Sequence, residues 1–156
     1  MKNILIRKAD LADLKPIQEL NNKLFDLEFN NFDDTLKLNW ALDNEGKEYF
    51  EHMIKNEIVF VAVYNSQIIG YLAGSISEEI SYITETFAEL DNMYIEEQYR
   101  RFGVGTMLIN TFKDYCKSKK IQNLKVTASA KNNNAIQFYL KNEFEDYNIT
   151  FKCKLY

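Results

Sequence analysis

The chain reads as an α/β (α+β) protein, a mixed central β-sheet flanked by helices on both faces in the order β-α-α-β-β-β-α-β-α-β. Three observations lead there. Runs of β-branched and aromatic residues of strand length alternate with segments whose apolar residues recur every three or four positions. Two glycines, Gly103 and Gly105, join one such strand to one such helix. Five glycines and one proline leave little chain for long irregular stretches, and no repeat or Gly/Ser linker divides it.

Ile4 to Arg7 has the composition of a short strand. Asp10 or Asp13 can cap the helix that follows, whose series Leu11, Leu14, Ile17, Leu20 and Leu24 keeps one face inward. Pro16 favours the later start, because proline is tolerated in a first turn and clashes further in. Between Asp33 and Asn56, the residues Leu36, Trp40, Tyr49, Phe50, Met53 and Ile54 predict one or two further helices. Ile58 to Tyr64 and Ile68 to Ala73 flank Asn65-Ser66-Gln67 and predict a hairpin of buried strands. A third strand spans about Thr84 to Ile95. Val104, Met107, Leu108, Phe112 and Tyr115 have helical spacing, Leu124 to Ala128 alternates like a strand, and Asn132 to Lys141 is helical again. Ile149, Phe151 and Cys153 alternate in the tail, so Phe144 to Leu155 is expected to close the sheet.

At 156 residues, 46% of them hydrophobic, residues 1–156 are expected to form a single domain. No apolar run approaches the roughly 18 to 20 residues that a bilayer requires, and Met1-Lys2-Asn3-Ile4 lacks the apolar stretch of a leader. The expectation is a cytoplasmic protein without a membrane partner. A net charge of −4 argues against nucleic acid, which calls for concentrated lysine and arginine. Cys116 and Cys153 have no second Cys or His near them, so no metal site or redox pair is read, and both are expected to be reduced thiols in or near the core. Charge is unevenly distributed: from Asp26 to Glu51 eight acids face only Lys37 and Lys47. Lining a site, that segment would attract a cation; otherwise it is a solvated helical face.

The segment Tyr94 to Leu108 carries the most chemistry. A strand passes through Arg100-Arg101-Phe102-Gly103-Val104-Gly105-Thr106 into an amphipathic helix. Unpaired N–H groups at a helix start, with the positive end of its dipole, make an anion site that glycine lets a phosphate approach. A mononucleotide P-loop would need a lysine after the second glycine, and a dinucleotide fingerprint would need three glycines early in the chain. Neither is present here.

Arg100-x-x-Gly103-x-Gly105 resembles the first signature of the GNAT superfamily of acyl-CoA-dependent N-acyltransferases, and Asn132-x-x-Ala135 followed by Tyr139 and Glu143-Phe144 resembles the second. Glu143 stands where that family usually has glycine, so its turn must either take another geometry or hold a side chain in a strained one. The resemblance implies a GNAT-like sheet and transfer of an acetyl group from acetyl-CoA, as co-substrate and without metal, to a primary amine by direct attack in a ternary complex. It implies that the backbone of Arg100, Arg101, Phe102, Gly103, Val104, Gly105 and Thr106 takes the pyrophosphate. Met93, Tyr94 and Ile95 would pair with the pantetheine arm and provide an oxyanion donor, Asn132 would contact the arm, and Tyr139 would protonate the coenzyme thiolate. Glu89 and Asp91 are the candidate bases, read as sharing a strand face with Met93 and Ile95. His52, the only histidine, is expected on a helix surface. By resemblance, the acidic and aromatic stretch from Phe25 to Phe50 shapes the acceptor site and suits a small cationic amine such as a polyamine, aminoglycoside or basic amino acid. Acetylation of a protein N-terminus or lysine, or acyl-CoA binding without turnover, are the alternatives. The resemblance also allows a homodimer.

Overall fold

A computed structural model describes residues 3–78 and 80–156; Met1 and Lys2, on which the reading of the chain's start partly rests, lie outside the described residues. Five strands form one sheet in sequential order: β1 (Leu5–Lys8), β2 (Ile58–Tyr64), β3 (Gln67–Ile76), β4 (Phe87–Ile95) and β5 (Asn123–Val126). The first four are antiparallel, while β5 is parallel to β4. The helices are α1 (Leu14–Asn31), α2 (Asn44–Asn56), α3 (Val104–Ser118) and α4 (Asn133–Lys141).

The side-chain alternation of β2 divides the core. Ile58, Phe60 and Ala62 face Leu108, Ile109 and Phe112 of α3, with α4 packed alongside. Val59 and Val61 face Ile17 and Leu20 of α1 and Phe50, Met53 and Ile54 of α2. Helices therefore cover both faces, as the patterning predicts. Asp13 occupies the N-cap position of α1 and puts Pro16 in the first turn, but its side chain makes no cap bond. Its carboxylate instead takes both guanidinium nitrogens of Arg7, at 2.6 and 2.8 Å, and the Asp10 N–H at 2.9 Å.

Two local features bear on the site. Across β3 and β4, Ala73 pairs with Asn92 while Gly74 pairs with Leu90, which leaves Asp91 as the extra residue of a β-bulge. The bulge shifts the alternation by one: Ala88 and Leu90 face the α3 side before it, and Met93 and Ile95 face that side after it. The expectation that Glu89 and Asp91 share a face with Met93 and Ile95 is therefore corrected. After α4, Glu143 adopts a left-handed conformation with φ of 68°, the strained alternative foreseen for a turn lacking glycine. Phe144 N–H bonds to Tyr139 O and Glu143 N–H to Leu140 O, closing the helix, and Lys113 Nζ reaches Asn142 O and Glu143 Oε2.

The expected final strand does not form. Residues 145–156 carry no strand or helix, and Ile149, Phe151 and Leu155 are 80%, 90% and 81% exposed. Alternation marks a segment suited to a half-buried pleated surface, but a strand also needs an edge to pair with. Cys153 lies in this exposed tail, whereas Cys116 is buried and its thiol is pushed up to about 11 by desolvation.

Candidate active site

β5 stops at Val126, level with Leu90, while β4 runs on to Ile95. Beyond that point the two parallel strands part, so the β5-facing edge of Asp91 to Ile95 has no strand beside it. A cavity of about 1120 Å³ opens in the gap. On one side it is lined by Asp91, Asn92, Met93, Tyr94 and Ile95, on another by Val126 to Ser129, at its base by Gly103 to Thr106, and across the top by Glu28 of α1 with Asn132 and Tyr139 of α4.

The helix start supplies the donors. Gly103 has φ of 81°, which L-residues rarely adopt, no side chain caps the helix, and its first i to i−4 bond runs from Met107 to Gly103. The N–H groups of Val104, Gly105 and Thr106 thus begin a helix that lines the cavity with its positive end. A Cβ on Gly103 would meet nothing within 4 Å; a Cβ on Gly105 would lie 2.8 Å from Phe138 Cζ, so this second glycine also lets α3 and α4 approach. Arg101 and Arg100 line the same end. Arg100 is braced rather than mobile: its Nε donates to Ile95 O at 2.9 Å and its guanidinium lies 5.0 Å from the Tyr94 ring centre.

Of the residues singled out from sequence, the cavity gathers Asp91, Met93, Tyr94, Ile95, Arg100, Arg101, Gly103, Val104, Gly105, Thr106, Asn132 and Tyr139. Phe102 and Glu89 are not among its walls. Phe102 is exposed, and Glu89 pairs with Lys125 of β5 at 3.0 Å. His52 is on the surface of α2, 3.0 Å from Asn56 Nδ2, as expected. The Tyr139 ring packs between Phe138 and Phe144, and burial, with a smaller contribution from the charge of Glu28, pushes its phenol up to about 12. Desolvation raises the carboxyl of Asp91, assisted by the like charges of Glu89 and Glu57 and opposed by Ser75.

Three features escaped the sequence. Asn92 belongs to a buried chain in which Asn21 Nδ2 donates to Tyr71 Oη at 2.8 Å and Tyr71 Oη donates to Asn92 Oδ1 at 2.7 Å. This chain ties the bulge to α1. Asn132 is committed on both atoms: Oδ1 accepts from Ala135 N at 3.0 Å as an N-cap, and Nδ2 donates to Glu28 Oε1 at 3.2 Å. Glu28 itself continues the Leu20 and Leu24 spacing, a charged residue on an apolar helix face, and that spacing was the signal available.

The sequence model of the acetyltransferase (GNAT) family matches residues 16–144. The chain belongs to this family. As a member of the GNAT family it is similar to an uncharacterized N-acetyltransferase of Methanocaldococcus jannaschii, with 26% identity over 150 aligned positions, covering 94% of this chain and 62% of that protein. The chain thus spans less than two thirds of that relative's length. Among solved structures it resembles a tetramutant of the BH1408 protein from Bacillus halodurans, with a TM-score of 0.86 and 17% identity, covering 97% of this chain and 99% of that one. It also resembles AAC(6′)-Iy, an aminoglycoside N-acetyltransferase, in complex with a coenzyme A bisubstrate analogue, with a TM-score of 0.78 and 16% identity, covering 98% and 99%. At these identities the structural likeness concerns the fold. Among the described residues no helix is long and apolar enough to cross a membrane, and no group of His, Cys, Asp or Glu is arranged to hold a metal ion.

Proposed function

We propose that residues 1–156 form one N-acetyltransferase domain that works in the cytoplasm and transfers the acetyl group of acetyl-CoA to a primary amine of a small cationic acceptor, by direct attack. The observation that carries this is the meeting, in one cavity, of an uncapped helix start, a strand edge with no strand beside it and a partly buried tyrosine. The residues fit the coenzyme. The open cradle at Gly103 and the donors of Val104 to Thr106 suit a diphosphate, and Arg101 adds positive charge. The edge of β4 left without a strand, on which Arg100 takes the Ile95 carbonyl, suits an amide-bearing arm laid alongside it. When bound, acetyl-CoA supplies the thioester that the amine attacks.

This chain's residues then have distinct tasks. A main-chain N–H of β4 near Tyr94 or Ile95 donates to the thioester oxygen as charge develops there, worth about 3 kcal/mol for such a donor. On the base side Asp91, placed in the cavity by the bulge, is favoured over Glu89, whose carboxylate is held by Lys125. Tyr139 donates from its hydroxyl to the departing sulfur. The aminoglycoside substrates of similar structures agree with a cationic acceptor. Incubating the protein with acetyl-CoA and a panel of diamines, aminoglycosides, basic amino acids and lysine peptides is expected to release coenzyme thiol fastest with the small polycations. Faster release with peptides would turn the reading toward a protein substrate, and a coenzyme-dependent thermal shift without any release would leave only a binding module.

We further infer a homodimer in which a second copy covers the apolar face of the tail. Tyr147, Ile149, Phe151 and Leu155 are exposed in a strand-like alternation. Light scattering is expected to give twice the 18.4 kDa chain mass, reduced to one chain by truncation after Glu145. A monomeric intact protein would exclude it.

A further inference from the structure

Most of the acidic stretch between Asp26 and Glu51 is spent on the surface. Lys37 pairs with Asp43 and Glu45, and Glu51 pairs with Lys47 and Lys55. Glu28 differs because α1 turns it inward. Ile17 and Leu20 on the same helix face are buried in the core, and Leu24 and Glu28, each a further turn along, line the cavity. Its neighbours on the cavity wall include Phe25, Phe32 and Leu36.

The polar surroundings of Glu28 are unbalanced. Its hydrogen-bond partner is the neutral amide of Asn132, whose orientation is fixed by the cap bond to Ala135. The other ionisable groups acting beside it are Asp33, of like sign, and Tyr139 on α4. Lys152 from the tail approaches Asp33, at 3.9 Å. Lys131 also acts on Asp33, and Arg100 and Arg101 belong to the anion end. Among the described residues no lysine or arginine forms an ion pair with Glu28. Burial raises its carboxyl accordingly. A half-buried carboxylate hydrogen-bonded to one neutral amide, beside a like charge and without an ion pair, is an incomplete arrangement, and a cation brought by the ligand completes it.

We propose that Glu28, held by Asn132, is the counter-ion for a second cationic group of the acceptor, so that this site selects small di- and polyamines over monoamines. The anchored cation is not the one acetylated: an ion pair stabilises the ammonium form, and only a neutral amine can attack. This deepens the acetyl-transfer reading and rests on it. The test compares kcat/KM for a series of α,ω-diaminoalkanes with monoamines of matched length. Wild type is expected to prefer the best diamine at least about 30-fold, the scale of one charge-assisted contact. Glu28→Gln keeps an oxygen for Asn132 and removes the charge, and is expected to shrink that preference to within about threefold. Glu28→Asp, which retains the charge on a shorter arm, is expected to keep the preference and shift it to a longer diamine. A structural role would lower both substrate classes together and leave the ratio unchanged in Glu28→Gln, which overturns the proposal. So does a wild type indifferent to the second amine, a result that needs no variant to fold. No thiol release with any amine would instead bring down the acetyl-transfer reading itself.

Discussion

Replacing Tyr139 with phenylalanine is expected to lower turnover about a hundredfold while leaving acetyl-CoA affinity within about twofold, the low end of what a positioned proton donor contributes. The ring is kept, so the packing of Phe138 and Phe144 around it is kept, and only the hydroxyl in the cavity is lost. Burial holds the phenol neutral up to about 12. A coenzyme thiol resembles a thiol of about 8.5, so full transfer from the phenol is uphill. The hydroxyl therefore helps chiefly by donating a hydrogen bond as charge grows on sulfur while keeping its own proton, and the released thiolate takes its proton from solvent. Because the phenol stays protonated, turnover is expected to show no falling limb attributable to Tyr139 below about pH 10. On the acid side, below the limb set by ionisation of the acceptor amine itself, Asp91 adds a second one. A base must be ionised, and its carboxyl is raised by desolvation, so activity falls with falling pH from above the ordinary carboxylate range. Asp91→Asn is expected to remove that limb. A pH–rate profile with parallel coenzyme titrations checks both; equal losses of affinity and turnover in Tyr139→Phe would refute the donor role.

The features legible in sequence were those set by local pattern. The continuous β-branched and aromatic run of Ile58 to Tyr64 suits a strand buried on both faces, threefold or fourfold spacing after Val104 suits a helix burying one, and both elements form there. The glycine turn was legible because Gly103 needs a conformation that other residues avoid. Glu143 shows the converse, a residue held in the same region by helix-closing bonds and by Lys113.

What escaped depends on pairing between distant segments. Nothing in Glu89-Leu90-Asp91-Asn92-Met93 marks an extra residue; the bulge exists because β3 matches Ala73 with Asn92 and Gly74 with Leu90. That single insertion separates Glu89 from the Met93 face and puts Asp91 at the point where β5 ends. The tail was misread for a similar reason, since its alternation specifies a face without supplying an edge. Glu28 was partly legible, as a charge on an apolar stripe, but its partner Asn132 is 104 residues away.

Gly103→Asp is expected to weaken acetyl-CoA binding about a hundredfold with the fold retained. The left-handed conformation at φ of 81° is one that aspartate and asparagine tolerate better than other side chains, and a Cβ there meets no atom within 4 Å. The fold tolerates it, at a cost in stability of about 1 to 2 kcal/mol for a side chain in that region, similar for aspartate and asparagine. Position 103 precedes the first turn of α3 at the end of the cavity formed by Val104, Gly105 and Thr106, so the new carboxylate puts a negative charge beside their N–H groups. These are the donors assigned to the diphosphate. The carboxylate repels a diphosphate from them, and losing charge-assisted bonds of about 1.5 to 3 kcal/mol each accounts for a hundredfold effect. Gly103→Asn has nearly the same shape and backbone preference without the charge, so its loss should be about tenfold or less. Calorimetric titration of wild type and both variants separates the contributions. If Asp and Asn weaken binding equally, backbone strain alone is at work. If neither weakens it, the diphosphate does not sit at the start of α3.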